Sequence, residues 1–86
     1  MPLLEIADYE DFKAEMTKQA ADIKHIRYAF VQAEQGTASI IFSVLVDDTT
    51  VIRYAERVAA LDAKERLEVI KKEMLGFTFS AGLWSL

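Results

Sequence analysis

The chain has no cysteine, and its 86 residues include only three glycines, one proline, one histidine and one tryptophan. Without cysteine there is no disulfide framework and no thiolate zinc site. The glycines, at 36, 76 and 82, are too scattered for a phosphate-cradling loop. His25 has no second histidine to work with, and Ser39, Ser43 and Ser80 lack the glycine-rich elbow that exposes a nucleophilic serine. Asp11 and Glu15 lie one turn apart beside Asp8, but their spacing matches no EF-hand loop. No catalytic, cofactor or metal residues are therefore expected, and the chain reads as a non-enzyme.

The start of the sequence lacks the basic and apolar regions of a secretory signal, and Met1 reads as the start of a complete chain. No apolar run approaches the roughly 20 residues of a membrane span. These absences predict a cytoplasmic protein with no membrane partner. Basic excess is missing too: the net charge is −4, with −3 carried up to Glu34 and −1 from Asp47 onward. A phosphate backbone would be repelled by the first half, so no nucleic-acid partner is expected. The composition is that of a small acidic protein.

What is present is apolar residue, 52% of the chain, enough for one thin core in a single domain over 1–86. Residues 26–34 and 38–46 are rich in β-branched and aromatic side chains, and Gly36 lies between them where a tight turn needs positive φ. They predict an antiparallel hairpin. With Gln35 and Gly36 as a two-residue loop, Arg27, Ala29 and Val31 share a face with Ala38, Ile40, Phe42 and Val44. The opposite face then holds Ile26, Tyr28, Phe30, Gln32, Ser39, Ile41, Ser43 and Leu45. That second face is too apolar to stand in water alone.

Around the hairpin, Asp8 reads as the N-cap of a first helix over about 9–24, with Tyr9, Phe12, Met16, Ala20 and Ile23 on one stripe. Val51, Tyr54, Ala55, Val58, Ala59 and Leu61 suggest a second helix over about 50–61. Asp62 and Glu65 resemble a capping box that opens a third helix over about 62–75. Residues 3–6 and 77–80 are candidate short strands. The expected class is α+β.

Three functions follow from this reading. The leading one is a non-catalytic protein-interaction module, a homodimer or a subunit of a larger assembly, joined through Tyr28, Phe30, Ile41, Leu45 and the Trp84 of an unusually apolar tail. The second is an acidic inhibitor that lays Glu10, Asp11 and Glu15 into a basic or nucleic-acid-binding groove of a target. The third is a small-molecule binder with a pocket between sheet and helices lined by Tyr28, Tyr54 and Trp84. The partner is thus a second copy or another protein.

Overall fold

The computed structural model describes residues 2–82. Within them, period-two and helical segments alternate in the order β1 (Leu3–Ile6), α1 (Tyr9–Gln19), β2 (Ile23–Gln32), β3 (Thr37–Val46), β4 (Thr50–Ala59), α2 (Ala63–Glu73) and β5 (Ser80–Ala81). A single turn of 3₁₀ helix precedes β2 (Ala20–Asp22) and another precedes α2 (Ala60–Asp62). The strands form one mixed sheet in the order β1-β4-β3-β2-β5. The β2–β3 and β3–β4 pairs are antiparallel, and the two edge strands run parallel to their neighbours.

The class is α+β, as expected, and β1 falls at the residues foreseen for it. Asp8 caps α1 by accepting a hydrogen bond from the Asp11 backbone N–H at 3.1 Å, which satisfies one of the unpaired donors of the first turn. Other elements differ. The first helix stops at Gln19, because Ile23 to His25 are drawn into β2. The terminal strand is reduced to Ser80–Ala81, held where the Gly82 N–H donates to the Tyr28 carbonyl at 3.1 Å. Asp62 stands before α2 without a side-chain capping bond, since the preceding 3₁₀ turn already leads the chain into the helix.

The largest correction concerns 50–61, which is strand β4 rather than a helix. Its apolar residues fit both periods: Ile52, Tyr54 and Val58 point to one face, and Val51, Arg53, Ala55 and Arg57 to the other. The long-range context decides. β3 lies at the centre of the sheet and pairs along its whole length with β4, joined through a turn in which Thr49 N–H donates to the Val46 carbonyl at 3.0 Å. Asp47 and Asp48 both adopt left-handed φ, 54° and 60°, the mirror-image conformation that matches strand twist.

The second correction is one of register. The β2–β3 loop holds three residues, Glu34 to Gly36, closed by a Thr37 N–H to Glu34 carbonyl bond at 2.9 Å, with Gly36 at φ 79°. The turn over 34–37 thus has its left-handed glycine at the third position. The extra loop residue pairs Phe30 with Ile40 and Tyr28 with Phe42. It thereby exchanges the two faces of β2 relative to the two-residue loop.

Both helices lie on one face. Phe12 and Met16 of α1 and Leu67 and Ile70 of α2 form one buried cluster with Ile26, Ile40, Phe42, Val44, Ile52 and Tyr54, and Met74, just past α2, joins them. Phe12 stacks on Tyr54 with ring centroids 4.6 Å apart. No element among the described residues covers the other face.

Candidate functional site

The register divides the residues singled out in the sequence. Tyr28 and Phe30 belong to the helix-covered face. There Tyr28 packs edge-on to Phe30 at 5.8 Å and carries the Lys71 ammonium 5.1 Å from its ring centre. Phe30 is 40% exposed at the margin of that face. Ile41 and Leu45 lie on the opposite, uncovered face and are half-buried. Trp84 lies outside the described residues. The four hairpin residues therefore do not form one surface.

Of the acids in the second reading, Glu10 pairs with Lys13 at 3.3 Å and Glu15 accepts from the Gln19 amide at 2.8 Å. Asp11 belongs to the helix cap. Of the residues in the third reading, Tyr54 is 2% exposed and enclosed by Phe12, Phe42 and Tyr9, and Tyr28 is half-buried.

A polar network on the covered side fixes the helices to the sheet. The Arg66 Nε and Nη2 donate to the two Glu56 carboxylate oxygens at 2.6 and 3.1 Å, and the Tyr54 hydroxyl donates to the same carboxylate. Arg66 also lies over the Tyr9 ring at 4.6 Å, and the Tyr9 hydroxyl donates to Glu73 at 2.6 Å. Burial opposes ionisation of Glu56, but the bonds from Arg66 and Tyr54 and the Arg66 charge outweigh it and hold its carboxyl below the ordinary value. Burial, then the hydrogen bond to a carboxylate, pushes both Tyr9 and Tyr54 well above the usual phenol range. Every member of this network is occupied in joining β4, α1 and α2, which is a structural task.

The uncovered face has a different chemistry. Across its centre runs a row set by the register: Ser80, Arg27, Ser43, Arg53 and Glu5, one residue from each strand. The neighbouring row holds Ala29, Ile41 and Ala55, and the next Val31, Ser39 and Arg57. On the far side of the polar row lie His25, Leu45, Val51 and Leu3. Val31 and Leu3 are 44% and 49% exposed. His25, Arg27, Ser43, Leu45 and Val51 line a shallow depression of about 320 Å³.

Three of the four arginines in the chain thus lie on one face. Arg53 reaches Glu5 and Arg57 reaches Glu34, each at 3.4 Å. Arg27, Arg53 and Arg57 against Glu5 and Glu34 leave this face at +1. The rest of the chain, with twelve acids and seven bases, stands at −5. The overall charge conceals this division. A helical period over 50–61 hides Arg53 and Arg57 from sequence reasoning; read with period two, Val51, Arg53, Ala55 and Arg57 share a side.

Among the described residues, no three His, Asp or Glu side chains converge as metal ligands, and no hydrogen bond joins His25 to a serine or carboxylate. No helix there is long and apolar enough to cross a membrane. Compared with protein-family models, curated proteins and solved structures, the chain has no significant match.

Proposed function

We propose that the chain is a non-catalytic protein-interaction module that docks another protein segment on the open face of its sheet. The observation that carries this reading is the uncovered face of the central strand. Ile41, with Ala29, Ala55 and Val31 beside it, forms an apolar patch with Arg27, Arg53 and Arg57 at its corners, and Leu45 and Val51 form a second apolar strip beyond the polar row through Ser43. An apolar centre edged by arginine is the anatomy of a protein interface. The opposite face of the same strand is already closed by α1 and α2, so docking a third layer would leave the core undisturbed.

The reading is tested by titrating isotope-labelled protein with a helical peptide that has a leucine stripe and uncharged flanks, and following backbone amide shifts. Perturbations concentrated on Ser39–Leu45, Ala29, Val31 and Ala55, and lost in a folded Ile41→Asp variant, are expected. Perturbation of α1 and α2 alone, or none at all, would overturn it.

A further inference from the structure

We infer that the segment this face receives is an amphipathic helix whose apolar stripe is edged with aspartate or glutamate, rather than a second copy of the chain stacked face to face. The inference rests on the docking reading above and adds the chemistry of the partner. Its basis is the arrangement around Ile41. The register places Arg53 and Arg27 at the two corners beyond Ile41 on the Ser43 side, about 10 Å apart across three strands. On the Ser39 side, the corners hold Arg57 and Val31.

Three corners of four are arginine, and that number has a geometric consequence. Two sheets stacked as a symmetric dimer are related by a two-fold axis lying between them. An axis over Ile41 and along the strands sets Arg27 on Arg53. One across the strands sets Arg53 on Arg57. One diagonal leaves Arg53 facing itself and sets Arg27 on Arg57, and the other leaves Arg27 and Arg57 each facing its own copy. With the axis over Ile41, each of these orientations places guanidinium against guanidinium, which is costly at a desolvated interface.

Carboxylates fit the same corners. Glu5 and Glu34 already reach two of the guanidinium groups from the rim, and a planar guanidinium can hold more than one carboxylate oxygen. The rest of the chain is net negative, whereas this face is net positive and attracts an acidic segment. Ala29, Ala55, Ser39 and Ser43 are small and flank Ile41 on all sides. The shallow depression on this face lies on the far side of Ser43, lined by His25, Arg27, Leu45 and Val51. Among the described residues the open face carries no Phe, Tyr or Trp, and His25 is its one ring.

The test uses the full chain and two synthetic helical peptides of about four turns, identical in leucine stripe and flanked by glutamate in one and lysine in the other. Isothermal titration should show the glutamate peptide binding at least about tenfold more tightly than the lysine peptide. The preference should shrink as salt rises, and Arg27→Glu with Arg53→Glu should reverse it while the circular dichroism spectrum is unchanged. Equal affinity for the two peptides would overturn the charge assignment while leaving the docking reading in place. Failure of both peptides, together with the uncharged one, would defeat the docking reading itself. Two further results would also overturn the inference: tight binding of a single-stranded oligonucleotide, or a dimer by light scattering that Ile41→Asp dissociates.

Discussion

The two faces of strand β3 differ by one residue in sequence and by everything in environment. Ile40, Phe42 and Val44 have no exposed surface, and they meet Phe12, Met16 and Ile70 from the two helices. Ile41, Ser43 and Leu45, on the same backbone, meet only neighbours within the sheet and remain half-exposed. Similar side chains therefore serve two purposes. On the covered face an apolar residue is part of the core; on the open face it is half-exposed surface, where we propose that a partner docks.

That contrast is broken most severely from the covered side. Phe42→Ala should destabilise the protein by about 3–5 kcal/mol, through lost burial and the cavity left among Phe12, Tyr28 and Tyr54. Ile41→Ala, one residue away, should cost about 1 kcal/mol or less. Chemical denaturation of the two variants measures the difference directly.

Charged groups should follow the same division. Arg66→Ala strands the largely buried Glu56 carboxylate and should cost about 1–3 kcal/mol, whereas Arg57→Ala, whose pair with Glu34 is exposed, should cost about 0.5 kcal/mol or less. The pH dependence sharpens this further. The Glu56 carboxyl is lowered in the folded protein, so its contribution is complete above the ordinary value of 4.5 and is lost as pH falls through the folded value. Tyr9 and Tyr54 are raised, so their contribution is complete below the ordinary 10.0 and is lost as pH rises beyond it. Urea titrations at pH 3, 7 and 11 should therefore show maximal stability at 7, and Arg66→Ala should flatten the acid limb.

The smallest effect is a gain. Asp48→Gly relieves a left-handed φ of 60° at the end shared by both faces and should stabilise the fold by about 0.5–1 kcal/mol without altering peptide binding. A rise in melting temperature would confirm it.

Much of the covered face was legible in the sequence. Asp8 announced its helix because a cap is a local signal, and the stripes Phe12–Met16 and Leu67–Ile70 pointed to the core because helical period is read within a few turns. β1 was foreseen at residues 3–6. The open face was less legible for two reasons. A single additional loop residue between β2 and β3 turned Tyr28 and Phe30 inward and Arg27 outward, and loop length is set by the geometry of Gly36 rather than by composition. The segment 50–59 satisfies helical and strand periods alike, and pairing with β3 across the Asp47–Asp48 turn decides between them. Once that pairing exists, Arg53 and Arg57 join Arg27 on one side.

The most direct test of this account is the stability of single alanine variants along β3, from Ser39 to Leu45, measured by urea denaturation. A period of two is predicted: Ile40, Phe42 and Val44 each cost several times more than Ser39, Ile41, Ser43 and Leu45. Equal losses at Ile41 and Leu45 would mean that the second face is already covered in the free protein, and would contradict the account.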